Sequence, residues 1–584
     1  MSLTAALRSS LSGLSLAQLG LSVTSNNISN VNTPGYTRKI VEQVSQARSG
    51  IGSGVDLGAI TRRVNNSLLG EMRTQNSTNY RSQTTSEYFT RLQDLFGRPG
   101  ATSSLNNQIL SLANAFEALG AGPENPQNQI NTVTEAVNLT QKINNLGQTI
   151  QNLRGETDQE IVTMVGEINA LLNRIHDLNH QIVGTPENSQ SFADLEDQRD
   201  QALQDLSQYI DVSYFTQADG QFVVLTGASM PLVSNGVFQL AYTPQSAVVP
   251  GSTFNAITIN GSNDLTNIVQ NGKLKALIDL RDTELPNLGA QLDNLSLTMR
   301  DEINAVHNNG TSFPPRRTLT GTLTGQAAGT AFAGTGTVRI AVTNSSGSIV
   351  NSITLDLTTV ATVGAIVTAI NTALGADATA SITSAGVLQI QATNSANGIA
   401  INENTSDVTA DGRGFSHHFG LNDFFVGADT VANGDLAINL AVNSIFRTNA
   451  TQISRAQLSM TAATNTIGVT PGDASAAQAL ADVFTTSYSF AAAGNLPAMN
   501  RMIGDYSADI ISYNATAANR AQNAADNAQI ILDNVRFRVG SQSGVDINEE
   551  MANIVVLQNA FNASAQVVRV VNEMFDSLDR AIGG

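Results

Sequence analysis

Apolar residues recur every seven positions at both ends of this 584-residue chain. The N-terminal repeat and its companion track, four residues further on, hold Leu7, Leu14, Leu21 and Ile28 with Leu11, Gln18 and Ser25. The C-terminal tracks hold Ile547, Ile554, Phe561, Val568 and Phe575 with Met551, Gln558, Ala565, Asn572 and Asp579. Alternating steps of four and three place such residues along one side of a helix. The pattern therefore predicts a long amphipathic helix at each terminus.

The two predicted helices need apolar partners, because a long apolar face is unfavourable in water. The C-terminal apolar face is also wider than a single seam. It includes Val555, Val571, Met574 and Leu578. Residues 1–65 hold six basic and two acidic side chains, whereas residues 540–584 hold two basic and six acidic ones. These opposite charges favour pairing of the two ends, although each exposed charge contributes little.

We predict that the two ends pack on each other and on neighbouring copies of the chain. The predicted assembly interface consists of Leu7, Leu11, Leu14, Leu21, Ile28, Ile547, Met551, Ile554, Phe561, Val568 and Phe575. The alternative interpretation is a pair of ordinary amphipathic helices that pack on a globular core.

A run of polar and turn-forming residues ends the N-terminal helix. It reads Ser25-Asn26-Asn27-Ile28-Ser29-Asn30-Val31-Asn32-Thr33-Pro34-Gly35-Tyr36. The Asn side chains compete for backbone hydrogen bonds, Pro34 disfavours the helical conformation at Thr33, and Gly35 permits a turn. We expect residues 36–60 to form an extended connector.

The interior of the chain changes character twice. Helical periodicity resumes after the connector, and it returns between Ala498 and Val539. All six Asn-Gly pairs, which mark hairpin turns, lie between Asn235 and Asn433. The sequence thus predicts an α+β multidomain fold with paired coiled-coil-like terminal helices, a helical bundle layer and inserted β-rich outer domains.

Four domains follow from this alternation of helical and β-type segments. The predicted bounds are 1–60 with 540–584 for the terminal helices, 61–190 with 270–310 and 440–539 for the helical layer, 191–269 with 311–335 and 411–439 for the β-rich domain, and 336–410 for a variable β-rich insert.

The sequence contains no motif of a catalytic site. Cysteine is absent, which excludes disulfides, thiol catalysis and cysteine-ligated metals. His176 and His180 have a spacing that can hold a metal, but no Glu completes an H-E-x-x-H motif, and we expect a solvated face. The neighbours His417 and His418 are interpreted as structural, and the acidic stretch Asp194–Asp200 as a charged helix face. We predict no enzyme activity, no catalytic residue, no cofactor and no metal.

The composition restricts the partners of the chain. A net charge of −18 argues against nucleic acid and anionic membranes, both of which attract basic surfaces. We expect no membrane span, because no apolar run approaches the required length of about 18–20 residues, and the N-terminus lacks the pattern of a secretory signal. Charged residues make up only 13% of the chain, so that copies can pack together with little desolvation of charge.

The segment Ser25–Tyr36 resembles the N-terminal signature of bacterial flagellar rod, hook and hook-associated proteins. The signature positions are Asn26, Asn27, Asn30, Asn32, Pro34, Gly35 and Tyr36. The segment Glu549–Val568 is similar to the C-terminal end of the same axial proteins. Within this family, Asp194–Leu203, Leu292–His307 and Phe419–Phe425 resemble the hook-associated proteins. Residues from about 320 to 410 fall outside the resemblance.

The resemblance implies a structural subunit of the bacterial flagellum that connects hook to filament. It implies self-assembly into a ring or short helical zone, with the hook protein on one side and hook-associated protein 3 on the other. It also implies an export chaperone, type III export without a cleaved signal peptide, and an extracellular location at the hook–filament junction. The alternative within the family is a hook protein or a flagellin-like filament subunit.

Two further alternatives lie outside these roles. A secreted enzyme carried on flagellar-type ends would need metal ligands in its insert, and residues 320–410 contain no histidine. A cytoplasmic coiled-coil scaffold is disfavoured by the Pro34-Gly35-Tyr36 signature.

Overall fold

The computed structural model describes residues 3–48, 51–97, 104–427 and 435–582. Long helices occupy both ends, and small antiparallel sheets occupy the middle of the chain. The two terminal helices lie side by side although they are the first and last elements of the sequence. The predicted α+β multidomain fold with paired terminal helices is confirmed.

Fourteen α-helices lie in the described part of the chain. In chain order, α1 to α14 are Leu3–Ser29, Asn66–Phe96, Leu105–Ala121, Pro126–Val183, Gln190–Tyr209, Lys273–Asp279, Leu285–Asn308, Val363–Leu374, Phe415–Phe419, Leu436–Asn439, Ser444–Thr448, Ser475–Asp482, Ile503–Ser543 and Ile547–Ile582. A π-helical turn at Leu280–Glu284 joins α6 to α7.

Twenty short strands are found in the same described ranges. In chain order, β1 to β20 are Lys39–Arg48, Ile51–Arg62, Val212–Thr216, Phe222–Thr226, Pro231–Val233, Leu240–Ala241, Thr258–Ile259, Asn263–Asp264, Thr318–Thr320, Gly334–Thr335, Thr337–Thr343, Ile349–Asp356, Ala378–Ile382, Leu388–Ala392, Gly398–Asn402, Asp407–Val408, Phe425–Val426, Ala441–Val442, Tyr488–Phe490 and Met499–Arg501. They form sheets of two or three strands, of which the largest have the orders β3-β4-β5, β6-β7-β8, β12-β11-β15 and β13-β14-β9.

The helical body is built around α4, which runs for 58 residues. Asn125 caps its N-terminus by accepting a hydrogen bond from the Gln127 N–H, and Pro126 occupies the first turn, where its missing N–H costs nothing. Its buried residues recur at steps of three and four, so one face of the helix is covered along its length; this face is mainly apolar but includes the buried side chains of Arg154 and Asp158. This face packs on α3, α5 and α7, while α2 pairs along α13.

Three segments differ from the sequence-based expectation. The connector 36–60 folds largely into the β1–β2 hairpin, in which Lys39 lies opposite Arg62. Residues 190–209, placed at the start of the β-rich segment 191–269, form α5, because Ala202, Leu203 and Leu206 bury one helical face. Residues 441–502, expected to be helical, contain only short helices and strands before α13 begins.

The β-rich middle has a core of its own, which extends beyond the predicted insert 336–410. Leu319 and Phe332 enter this core from the N-terminal side, and Phe415 and Phe419 enter it from the C-terminal side. The segment 318–337, which has the composition of a linker, is therefore part of a packed domain.

The helical stretch Ile503–Ala581 contains one 18-residue window that is long and apolar enough, by length and composition alone, to cross a membrane. The sequence analysis had expected no such window. Only 6% of the window is buried within the chain. The C-terminal helices thus expose an unusual amount of apolar surface.

Candidate assembly site

The terminal helices α1 and α14 pack closely because small residues line their contact. A methyl group at Gly20 would come within 2.9 Å of Leu557 Cδ2, and one at Gly13 would come within 3.3 Å of Ser564 Oγ. Glycine at these two positions therefore permits an approach of the helix axes that larger side chains would prevent.

Each helix covers one face in this contact. On α1 the buried positions are Leu16, Ala17, Gly20, Val23, Thr24 and Asn27. On α14 the seam positions, all buried or half-buried, are Glu550, Ile554, Leu557, Phe561, Ser564, Val568, Val571 and Phe575, and Asn553 and Ala565 beside them are also half-buried. The seam positions alternate in steps of four and three along the whole length of α14, which is the spacing of a coiled coil.

The structure places the predicted interface residues in two different environments. Four of them lie on the covered face of α14: Ile554, Phe561, Val568 and Phe575. The predicted residues of α1 lie outside its covered face. Leu14, Leu21 and Ile28 directly follow Gly13, Gly20 and Asn27, which lie in the contact with α14. A step of one residue rotates the side chain by about 100° around the helix axis. In that position Leu7, Leu14, Leu21 and Ile28 are half-buried. Leu11, Ile547 and Met551 are exposed.

A second apolar stripe runs along α14, outside the contact with α1. It consists of Ala552, Val556, Ala560, Ala563, Val567, Val570, Met574 and Leu578, all of them exposed. These positions follow each other at steps of three and four, and none of them is charged. We call this set the exposed C-terminal stripe. Together with the half-buried leucines of α1, it gives the paired ends apolar surface that the rest of the described chain covers only in part.

The last turns of α13 carry further exposed apolar side chains. Phe537 is 77% exposed, and Ile530 and Ile531 are also exposed. Most of the large exposed apolar residues of the described chain lie in α13, in α14 or within residues 3–48. A monomer gains nothing from such a concentration, which is typical of a surface that packs on another chain.

The signature turn after α1 is organised by the side chain of Asn27. Its Nδ2 donates to the Lys39 carbonyl at 2.9 Å, and its Oδ1 accepts from the Lys39 N–H at 3.1 Å. The Tyr36 hydroxyl donates to the same Oδ1 at 2.9 Å. One amide thus joins the end of α1 to the start of β1. Asn27 is buried, so each of these hydrogen bonds is shielded from water.

Other signature residues shape the turn itself. Asn30 Nδ2 donates to the Asn26 carbonyl, and Asn26 Nδ2 donates to Gln190 Oε1 of α5. Gly35 has a φ of +79°, and a Cβ there would come within 2.6 Å of Gln201 Oε1, so both its conformation and its contact require glycine. Asn32 and Pro34 are exposed.

Three cations from the N-terminal region bind the acidic stretch of α5. Lys39 Nζ lies 2.7 Å from Asp194 Oδ1 and 2.9 Å from Asp197 Oδ2. Arg62 binds three carboxylates, those of Glu196, Asp197 and Asp200. Arg73 Nη2 lies 2.7 Å from Asp200 Oδ1. We call this group, with the Arg38 pairs described next, the arm–body clasp, because it fixes the β1–β2 hairpin and α2 to the body.

Arg38 extends the clasp to the C-terminal helix. Its Nε lies 2.6 Å from Glu550 Oε1, and its Nη1 lies 2.6 Å from Glu549 Oε1. Glu550 is 1% exposed and also accepts from Asn27 Nδ2 at 3.2 Å. The Arg38 N–H donates to the Ser543 carbonyl at the end of α13. Both chain ends are therefore joined at a single point.

The electrostatics of the clasp follow from competition between burial and charge pairing. Burial alone lowers the pKa of Lys39, but Asp197 and Asp194 outweigh it, so the pKa lies above its ordinary value. For Arg62, the attraction of Asp200, Glu196 and Asp197 likewise outweighs the effect of burial and raises the pKa. For Arg38, the hydrogen bonds to Glu550 and Glu549 outweigh the effect of burial and raise the pKa. All three side chains stay charged at any physiological pH.

The acidic stretch Asp194–Asp200 lies on a helix, as interpreted from the sequence, but part of this charged face is covered by the clasp. Asp197 is buried, and Asp200 is largely covered by Arg62 and Arg73. Sequence patterns did not identify Lys39, Arg62 and Arg73 as partners of these carboxylates. The excess of basic residues within 1–65 was the available signal, but it did not indicate which acidic group they would meet.

The histidines lie outside this site. His307 and His417 are buried, and His418 pairs with Asp411 at 2.8 Å. His176 and His180 lie on α4. Within the described ranges, no group of three or more His, Asp or Glu side chains is arranged to hold a metal. The arrangement of the paired ends serves packing and charge pairing.

Three protein-family models match the chain. Residues 7–37 match the model of the flagella basal body rod protein, residues 89–328 match that of the flagellar hook-associated protein FlgK helical domain, and residues 541–581 match that of the flagellar basal body rod FlgEFG protein C-terminal region. The first and last of these contain α1 with the signature turn and almost all of α14.

Relatives match the chain over nearly its full length. The chain is 24% identical to flagellar hook-associated protein 1 of Salmonella typhimurium, covering 97% of this chain and 98% of that one. It is 24% identical to the protein of the same name from Escherichia coli, covering 98% of each. A solved structure of the flagellar hook junction protein FlgK from Burkholderia pseudomallei is 15% identical, with a TM-score of 0.48 over 80% of this chain and 99% of that one.

Proposed function

Because this chain belongs to the family of flagellar hook-associated protein 1, we propose that it forms the junction between the hook and the filament of a bacterial flagellum. It is a structural component of the flagellum and not an enzyme. In the proposed role, copies of the chain form a short zone between the hook protein and hook-associated protein 3. This zone lies outside the cell, and the subunits reach it through the flagellar export apparatus with the help of a chaperone.

The observation that carries the proposal is the exposed C-terminal stripe on the joined ends, beside the half-buried leucines of α1. The exposed C-terminal stripe and the leucines of α1 lie on helices that are already paired within the chain. Burying apolar surface stabilises an assembly by about 25 cal/mol per Å². Neighbouring copies supply that burial when the paired helices stand side by side in a tube. The interface residues predicted from sequence belong partly to the internal seam and partly to these outer faces.

The charge distribution supports the same arrangement. The clasp pairs Arg38, Lys39 and Arg62 of the N-terminal region with carboxylates of the same chain. The exposed C-terminal stripe itself is uncharged, so a neighbouring helix can cover it without desolvating an ion. The helical body and the β-rich middle then form the outer part of the junction, with the predicted domains as its units.

Two charged substitutions on the stripe test the proposal. The double variant Val556→Asp, Val567→Asp places two carboxylates where a neighbour would pack, and both native side chains are exposed in the monomer. We expect a folded monomer that no longer assembles. A deletion strain that expresses this variant should form hooks without filaments, as seen by electron microscopy.

The matched control adds a charge to the polar side of the same helix. Asn562→Asp lies on an exposed position away from the stripe, and filaments should form normally. Removing residues 547–575 should also abolish assembly while the body stays soluble. If the stripe variant still supported filament attachment, the proposed interface would be wrong.

The alternative function is that of a hook protein or filament subunit. Those subunits extend their polymers without a fixed end, whereas a junction protein stops after a short zone. Purified monomers that polymerised indefinitely on their own would favour the alternative.

A further inference from the structure

His176 and His180 stand one helical turn apart near the C-terminal end of α4, and their Nε2 atoms are 3.2 Å apart. Their ring centroids are 4.5 Å apart, and the ring planes are almost perpendicular, at 89°. We propose that this pair chelates a divalent transition-metal ion of the class that prefers imidazole, such as Ni²⁺ or Zn²⁺. The expectation of no metal, which rested on the missing Glu of the H-E-x-x-H motif, is revised by this geometry.

The distance between the two nitrogen atoms fits chelation. Two nitrogens that each lie about 2.0–2.1 Å from a tetrahedral ion are about 3.3 Å apart. The observed separation of 3.2 Å is close to this value. A spacing of four residues on one face of a helix is also the arrangement by which paired histidines bind zinc in metalloenzymes.

The pair is accessible, and few other groups compete with it. His180 is exposed and His176 is half-buried. The chain has no cysteine, and His307 and His417 are buried. His418 already binds Asp411. The two imidazoles supply two ligands, and water fills the remaining positions, since no third His, Asp or Glu joins them among the described residues.

Protons limit the affinity of the site. Without an ion, two neutral rings share one Nε2–H···Nε2 hydrogen bond. Chelation needs both Nε2 lone pairs, so the donor ring must carry its proton on Nδ1 instead. Nδ1 of His176 is buried and has no hydrogen-bond partner among the described residues, so a proton there is unfavourable. The site should therefore bind less tightly than one whose histidines are both held by acceptors.

The ion would bind on the last turns of α4, which ends at Val183. This part of the body precedes α5, the helix that carries the carboxylates of the clasp. Any ligand that binds only the folded state stabilises it by mass action.

Titration of the full-length monomer with Ni²⁺ tests the proposal. Isothermal calorimetry should show one ion per chain, and the melting temperature should rise with Ni²⁺ concentration. The matched control is the double variant His180→Gln, Gln181→His, which keeps the number of histidines but moves one ring off the shared face. Its affinity should fall by about tenfold or more, because a single imidazole loses the chelate effect.

A second control distinguishes ion binding at His176 and His180 from ion binding at His418, the other partly accessible histidine. His418→Gln should leave Ni²⁺ binding unchanged. Equal affinity of the wild type and the register-shifted variant would overturn the proposal, as would the absence of any binding to the wild type. Both variants should melt at the wild-type temperature without metal.

Discussion

At the scale of single residues, the junction of the two chain ends depends on a few buried polar groups. Asn27 hydrogen-bonds Lys39 and Tyr36 on its own side of the chain and Glu550 across it. Glu550 in turn binds Arg38. Each group satisfies another that would otherwise be buried without a partner, which makes the set sensitive to the loss of any one member.

Arg38 pairs with two adjacent glutamates, one exposed and one buried, so substituting each of them tests how much burial strengthens the ion pair. Glu550→Gln should destabilise the pairing of the ends by about 3 kcal/mol, because Arg38 loses its buried counter-charge. Glu549→Gln should cost about 0–1 kcal/mol, since the Glu549 side chain is 50% exposed. Hydrogen exchange of α1 and α14 amides measures both effects. Equal effects of the two substitutions would contradict the role assigned to Glu550.

A buried carboxylate in the β-rich middle predicts a pH effect. Burial raises the pKa of Glu403 to about 7, against hydrogen bonds from the His417 and Ser416 N–H groups. The folded chain therefore holds this proton more tightly than the unfolded chain. The bound proton therefore stabilises the folded chain at low pH. This stabilisation is lost as the pH rises from 4.5, the pKa of Glu403 in the unfolded chain, to about 7, its pKa in the folded chain.

Glu403→Gln should remove this dependence. We expect the variant to be more stable than the wild type at pH 8 by about 1–2 kcal/mol, with a smaller difference at pH 5. Urea unfolding followed by circular dichroism at both pH values measures the change. Glu117→Gln, on an exposed position of α3, should show no such pattern.

At the scale of elements, the contact between α1 and α14 depends on small residues as much as on apolar ones. Gly20 faces Leu557, and Gly13 faces Ser564. The leucines of α1 that recur every seven residues lie outside this contact. The heptad pattern thus marks a helix with two apolar faces, one that packs on its own chain and one that packs on a neighbour in the proposed assembly.

Gly20→Val tests the close approach of the two helices. Its side chain would collide with Leu557, so the ends should separate and become accessible to protease in the monomer. Gly70→Ala is the matched control within a helix, because nothing lies within 4 Å of its added methyl group. That variant should be more stable by up to about 1 kcal/mol, since alanine is the better helix former. Intact terminal helices in Gly20→Val would contradict the proposed contact.

At the scale of the whole molecule, apolar burial is very uneven. The body surrounds α4 with a continuous core, whereas Val571 is the sole fully buried apolar side chain of α14 among the described residues. Local stability follows the number of buried contacts. The paired ends are therefore the part of the monomer that opens most easily.

Hydrogen exchange should reveal this gradient. Amides of α14 should exchange far faster than those of α4 in the free monomer, and they should become protected after assembly. Mass spectrometry of the monomer and of the assembled form measures both states. Slow exchange of α14 in the monomer would show that the ends need no neighbour.

Part of this structure follows from the sequence by itself. The period of seven determined that both ends are helices with apolar faces, because side-chain direction repeats with the helical turn. The signature at Asn27, Pro34 and Gly35 determined where the first helix stops. Local chemistry is sufficient for both conclusions.

Tertiary structure decided which faces meet. The one-residue offset between Gly20 and Leu21 separates the internal seam from the outer face, and periodicity alone treats these two tracks alike. The pairing of Arg62 with Asp197 and of Arg38 with Glu550 joins residues more than a hundred positions apart. Such contacts depend on how the chain folds back on itself, and no local pattern specifies them.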